Sequence, residues 1–394
     1  MEGFPGIPDA HLRGKVLSRS TAPEPLTPLQ TAAVWEAEYS SVERMAAGSM
    51  PVTLVINDAT RPPSHPLLAP LEGILNGRVR VLFATGTHRP VTPAERDDLL
   101  GGLFRDAPWE SSDCDRADIA SIGITSRGTP VKLHPWVVDG SPVVSVNSVE
   151  PHYFAGYTGG RKSFLPGVSS RETVIANHFL ACLPGAGPGR LDDNPVHLDM
   201  MEALDLLLER TEIVQGNGVM QMGRLVNAFA GGCTESFLSA VRACSALSTV
   251  MAGKGSKVVV VHPGEPLHVS LYQAEKAIYN CQHMVDEGGV IMLVSPCHEG
   301  LGASHLERAF HSSMDPGWSE PTRETYRLGD HSIVRLRQMR RRMRIALASG
   351  LPRRLVESMG IEPVDDPVEW LDRQDCAAPL FIPDAGLIVP VREG

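Results

Sequence analysis

No apolar run in this sequence approaches the roughly 18 to 20 residues that a membrane helix needs, so spanning helices are not expected. Positive charge is also short. Lys and Arg number 36 against 46 Asp and Glu, and the formal charge of −10 argues against nucleic acid as the main partner. Local cations can still hold an anionic ligand. Seven cysteines are scattered from Cys114 to Cys376 with no Cys-x-x-Cys pair and an odd count, which disfavours a disulfide framework. The opening Met-Glu-Gly-Phe-Pro-Gly-Ile-Pro has neither the basic start nor the apolar stretch of a secretory signal. A reducing, cytoplasmic setting is the expectation. Internal repeats and long low-complexity segments are absent as well.

What is there is an alternation of short β-branched runs with helical patterns. Residues 52–56 and 79–84 read as buried strands, each leading into a polar turn and a helix-like stretch. Further strands are expected at 119–124, 143–146, 213–215 and 225–230, and a helix near 28–47. Such alternation is the signature of α/β layering with a largely parallel sheet. A helix-like stretch over 233–251 ends at Gly253-Lys254-Gly255, a natural hinge. Strand 257–261, helix 270–287 and strand 290–294 then restart the pattern. With 394 residues, two domains are the default. We expect two α/β domains with largely parallel sheets and the active site in the cleft between them. The first takes in residues 1–252, with a last strand near 387–391 in segment 383–394 returning to it; the second takes in 256–382. Six arginines within 335–344 read as a solvated or ion-paired helix face.

Residues 151–167, Pro-His-Tyr-Phe-Ala-Gly-Tyr-Thr-Gly-Gly-Arg-Lys-Ser-Phe-Leu-Pro-Gly, carry the densest chemistry. Glycine weakens helices and strands alike, so Gly156, Gly159 and Gly160 beside a cation suggest backbone folded closely against a ligand. The bland reading is a glycine-rich loop with one solvated lysine. Two other turns follow strands directly: Asn57-Asp58-Ala59-Thr60-Arg61-Pro62 and Ala84-Thr85-Gly86-Thr87-His88-Arg89-Pro90. Ligands of open α/β sheets sit just beyond the carboxyl ends of strands, so the three turns are expected to converge on one pocket.

Known nucleotide signatures fit poorly. No Gly-x-Gly-x-x-Gly follows the first strand, and Gly156 to Ser163 has Arg161 where a phosphate loop needs its second glycine. A nucleotide- or phosphate-binding protein built on loop 156–163 is kept as the alternative function. His178 has no His or Glu one turn away, and a protein-only zinc site needs three or four ligands. Gln273 and Lys276, three residues apart, share a helix face and suit a carboxylate or hydroxyl from across a cleft.

Together these pieces resemble the nickel-pincer lactate racemase family. The matching motifs are Asp58-Ala-Thr-Arg61-Pro, Ala84-Thr-Gly-Thr-His88-Arg-Pro, Pro151-His152 through Lys162, Asn177-His178 and Tyr272-Gln273-Ala-Glu-Lys276, in the family's order. The resemblance implies a racemase or epimerase of a 2-hydroxy acid, lactate-like or larger. It implies a nickel-pincer nucleotide, a pyridinium-derived mononucleotide attached to Lys162 through a thioamide, with His178 as the protein ligand to nickel. Hydride would leave C2 for the pincer and return to the other face of the planar keto acid, with His88 and His152 as the acid/base pair. Arg61 would hold the substrate carboxylate, helped by Gln273, Lys276 and Tyr272. Asp58, Thr85, Gly86, Gly159 and Gly160 are placed around the cofactor, with Asp58 orienting its neighbours. Cofactor biosynthesis enzymes are the implied partners, and nucleic acid and membrane are not expected.

Overall fold

The structure, a computed structural model, describes all residues except 1–3, 19–22, 76, 316 and 394. Its frame is a pair of six-stranded sheets. The first runs in the order Arg224–Gly231, Ile213–Gln221, Val143–Val149, Val52–Asn57, Val79–Ala84, Trp109–Ser111. All its neighbours are parallel except the first pair. The second runs Lys15–Val16, Leu380–Ile382, Ser256–Val261, Val285–Val294, Arg344–Ala348, Glu362–Val364, parallel throughout.

Strand Val52–Asn57 is apolar apart from Thr53 and its terminal Asn57 because both faces of its sheet are covered. Leu54 and Ile56 pack with Val81, Phe83, Val144 and Val146 on one face, whereas Val55 packs with Leu82 and Val143 on the other. That split is the period-2 alternation of a strand. Burying each such side chain contributes roughly 1.5–3 kcal/mol. In the second sheet Val258, Val260 and Met292 face one cluster, while Val259, Val261, Ile291 and Leu293 join the same core as Val55 and Leu82. One continuous core therefore lies between the sheets.

Several expectations need correction. The 28–47 helix is two helices, Pro28–Ala33 and Tyr39–Ala47, because the chain turns to bury Trp35, whose Nε1 donates to the Leu67 carbonyl at 2.9 Å. Ala120–Ile124 lies outside the main sheet, in an antiparallel hairpin with Pro130–Leu133. Helix Leu271–Cys281 stops short of 287, since Val285 already starts the next strand. Helix Cys233–Ser248 yields to strand Thr249–Gly253, which pairs with the last strand, Val389–Arg392. The arginine-rich helix, Asp330–Arg340, is not wholly solvated. Arg335 is buried and donates to the carbonyls of Ala186 (2.9 Å) and Tyr153 (3.0 Å), with its guanidinium over the Tyr279 ring. At the other end of the chain, Phe4, Ile7 and Lys15–Val16 pack on the second sheet rather than the first. All seven cysteines are free thiols, five of them buried. No helix among the described residues is long and apolar enough to cross a membrane.

Candidate active site

The three strand-end turns do meet. Strands Val52–Asn57, Val79–Ala84 and Val143–Val149 run side by side and parallel, so their carboxyl ends deliver Asp58, His88 and His152 to the rim of one cavity of about 130 Å³. Helix Leu271–Cys281, which follows strand Ser256–Val261, brings Tyr272, Gln273 and Lys276 to the same cavity. Arg61, Thr85, Gly86, Gly159, Lys162 and His178 complete the expected set around it.

The Asp58 carboxylate is the organiser of the first two turns. Oδ1 accepts from the backbone N–H (3.1 Å) and hydroxyl (2.6 Å) of Thr60, and Oδ2 lies 2.6 Å from His88 Nδ1. Burial works against its charge, but the bonds from His88 and Thr60, with the Arg61 charge, outweigh burial and hold its pKa below the usual value. The pairing puts a proton on His88 Nδ1 and leaves Nε2 as the basic nitrogen.

His152 is built differently. Its Nδ1 accepts from the backbone N–H of Ala155 (3.3 Å) and Phe154 (3.5 Å), so the ring proton sits on Nε2. Nε2 lies 3.0 Å from Lys162 Nζ, which must then accept and be a neutral amine. Burial first, with the charges of Arg61 and Lys276 behind it, presses the His152 pKa well below its ordinary value. Burial and the charges of Arg61, Arg161 and Lys276 do the same to Lys162. A neutral amine is the nucleophilic form of lysine.

Arg61 pairs with Glu150 at 3.7 Å, and Lys276 Nζ donates to Gln273 Oε1 at 2.5 Å. The Arg61 charge presses on the Lys276 ammonium, so an incoming anion relieves repulsion between these two cations. His178 sits on helix Arg171–Phe179, capped by Ser170, with its ring against Phe154 (5.0 Å) and His331 (6.1 Å). The preceding Asn177 anchors that helix through Nδ2 to Asp199 Oδ2 at 2.8 Å. His178 Nδ1 is buried with no hydrogen-bond partner. A buried imidazole nitrogen left unpartnered is an exception among buried polar groups. Among the described residues, one group of Asp, Cys and His side chains is close enough to hold a metal unaided, Asp113, Cys114 and Asp115, and none of these lines the cavity.

Two expected residues behave otherwise. Gly160 faces away from the cavity: a Cβ there would lie 2.5 Å from the Phe237 ring, and its N–H donates to Asn217 Oδ1 at 3.0 Å. Thr85 lines the cavity, but its hydroxyl is committed to the Ser112 carbonyl. Gly159 is required as glycine, with φ +74° and the Ser148 carbonyl 2.9 Å from a would-be Cβ. The phosphate-loop alternative is not favoured by this geometry. The N–H groups of Thr158, Gly160 and Lys162 are bonded to Glu150, Asn217 and Gly159, and only a four-residue 3-10 helix follows. Arg161 is buried, with its guanidinium donating to the carbonyls of Tyr157 and Ala155.

Sequence reasoning missed His305 and His331, which also line the cavity. His331 Nδ1 lies 2.6 Å from the Tyr326 hydroxyl and Nε2 3.2 Å from that of Tyr153, while His305 meets the Tyr272 ring edge-on. His331 lies in helix Asp330–Arg340 and His305 shares helix Ser304–Ser313 with His311; no local spacing marks either.

Comparison with known proteins follows the same lines. Residues 7–188 match the lactate racemase N-terminal domain and residues 250–364 the lactate racemase C-terminal domain. The lactate racemase of Thermoanaerobacterium thermosaccharolyticum is 29% identical over 285 residues, 70% of this chain and 66% of the relative. That of Lactiplantibacillus plantarum is 28% identical over 284 residues, with the same shares. The matched stretch thus spans just under two thirds of these relatives' length. The lactate racemase apoprotein of T. thermosaccharolyticum superposes with a TM-score of 0.83 at 24% identity, covering 98% of this chain and 96% of that one. A Thermotoga maritima protein gives 0.70 at 16% identity, over 95% and 100%. These likenesses fix the fold as that of the racemase apoprotein, and the two domain matches take in most of the sequence. The chain belongs to the lactate racemase family.

Proposed function

We propose that this protein is an isomerase that racemises or epimerises a 2-hydroxy acid, lactate or a larger relative, with a nickel-pincer nucleotide attached at Lys162. The observation that carries the reading is the meeting of two differently prepared imidazoles, His88 and His152, with Arg61 and Lys276 in one cavity. Inverting a centre needs a proton acceptor for each enantiomer, and imidazole both takes and returns a proton near neutral pH.

The residues fit the cofactor. Lys162 offers a neutral buried amine for acylation, and His178 offers an unpartnered imidazole nitrogen as the protein ligand to nickel. When bound, the pincer supplies a reversible acceptor for the C2 hydride. The chain's own groups do the rest. Arg61 and Lys276 hold the substrate carboxylate, and Gln273 fixes the Lys276 ammonium. His88, oriented by Asp58, takes the hydroxyl proton of one enantiomer at Nε2, and His152 takes that of the other in the tautomer with its ring proton on Nδ1, reached by giving up the bonds from Phe154 and Ala155. Tyr272 closes the cavity from the second sheet's side. We place the cofactor-bearing half within residues 23–252, with 383–394 returning to it, and the closing half at 256–382, to which Phe4 through Val16 add the first strand. Loading would depend on dedicated cofactor biosynthesis enzymes, in the cytoplasm.

The test is intact mass and nickel content of protein co-produced with those enzymes, followed by chiral assay of 2-hydroxy acids. The expected result is a mass adduct lost in Lys162→Ala, about one nickel per chain, and racemisation lost with it. Absence of adduct and nickel, beside a lactate racemase loaded in parallel, would overturn the proposal.

A further inference from the structure

A second cavity, of about 420 Å³, adjoins the catalytic one along Thr60, Arg61, His152, Thr158 and Lys276, which line both. It is larger than the catalytic cavity, and the cations Arg61 and Lys276 border both. Its remaining walls are mainly apolar. Val149, Val219 and Met220 come from the first sheet, Leu247 from helix Cys233–Ser248, and Leu267 and Leu387 from the second half of the chain. The hairpin tip between strands Ile213–Gln221 and Arg224–Gly231 reaches its rim with Met222, a 71% exposed side chain on a residue with φ +51°. The left-handed conformation of Met222, shared by Gly223 at φ +73°, is that of a two-residue hairpin turn, and it sets the Met222 side chain at the cavity mouth. Beyond the shared residues, the charged lining residues are Glu150 and Glu265, both acidic.

We infer that this cavity receives the C2 substituent of the substrate, and that the substrate is a 2-hydroxy monocarboxylic acid bearing a branched aliphatic or aryl group. The inference rests on the racemase reading of the catalytic cavity. A carboxylate held by Arg61 and Lys276 lies where the two cavities adjoin. The catalytic side is taken up by His88, Lys162 and His178, so a bulky substituent has its room on the other side. The methyl of lactate leaves that room to water, whereas a larger apolar group displaces it. A second carboxylate would face Glu150 and Glu265 with no further lining cation, which selects against dicarboxylic acids.

Cofactor-loaded enzyme is compared on lactate, 2-hydroxy-4-methylpentanoate, 3-phenyllactate and malate, in kcat/KM and in calorimetric affinity. The bulky monocarboxylates are expected to exceed lactate by at least about 10-fold, the low end for one added methylene in an apolar pocket, with malate poorest. Leu247→Trp and Met220→Trp, each checked by thermal melting, should lose at least about 10-fold more on the bulky acids than on lactate. Two positions guard against one variant failing to fold. Lactate as the best substrate, or equal losses on all substrates in the Trp variants, overturns the subsite and leaves the racemase reading standing. Tight binding of the bulky acids with no racemisation of any acid sinks the racemase reading and leaves the subsite.

Discussion

Lys276 loses its charge inside the ordinary assay range. Burial, and then the Arg61 guanidinium, lower its pKa to about 7, with Glu150 and Glu275 pulling the other way. It is half-buried by accessible surface and lines both cavities, and burial remains the largest cause of its lowered pKa. A lysine of pKa about 7 is roughly 90% protonated at pH 6 and roughly 10% at pH 8. Free enzyme competent to bind a carboxylate at Lys276 therefore falls about 10-fold over that interval, and the fall belongs in kcat/KM, which reports the free enzyme. Bound substrate holds the proton in place, so kcat stays flatter. Lys276→Arg keeps its charge far above this range and should remove the falling limb. Calorimetry of substrate binding at pH 8, in buffers of different ionisation enthalpy, should show uptake approaching one proton per anion in the wild type and none in the variant. Superimposable kcat/KM profiles from pH 6 to 8, or no proton uptake in the wild type, would refute the reasoning.

Three further outcomes are expected. Glu275, buried and accepting from the Ser332 hydroxyl, has its pKa pushed up to about 8 by burial from 4.5. Between those values the folded state holds a proton that the unfolded chain has lost, so stability falls as pH rises, by on the order of 4 kcal/mol across the window. Melting curves at pH 5 and 8 should show this drop in the wild type and a much smaller one in Glu275→Gln; equal drops would count against it. Arg335→Met leaves the carbonyls of Ala186 and Tyr153 unpaired and should cost about 2–4 kcal/mol, read by urea unfolding, with a loss below about 0.5 kcal/mol contradicting the clamp. Asp58→Asn removes the acceptor that fixes the His88 tautomer and should lower kcat by about 10²–10⁴ with little change in KM; steady-state assays within threefold of wild type would dismiss that role.

The turns after residues 57, 84 and 149 were legible because a parallel sheet gathers its carboxyl ends, so three local patterns implied one place. Continuous β-branched runs marked the strands for the same reason, being covered on both faces. Other features depend on partners far along the chain. Lys15–Val16 has no strand signal of its own and is a strand only because Leu380–Phe381 lies beside it. His305 and His331 reach the cavity by the packing of two late helices. Arg335 looked solvated in a run of arginines, and its burial follows from two carbonyls that helix periodicity does not reveal. Gly160 was grouped with Gly159 by adjacency, yet one turn of backbone points them at different neighbours.

That short Lys15–Val16 strand is also the outermost one of the second sheet, and it covers the hydrogen-bonding edge of Leu380–Ile382, whose side chains are all buried. Its partner lies more than 360 residues further along the chain, so the early segment waits while that length is made before it can dock. Until then the Leu-Phe-Ile edge is open to pairing with another chain. Deleting residues 4–17 would recreate that exposure in the finished protein. It would spare every residue that lines the catalytic cavity and still leave a product prone to assemble edge to edge.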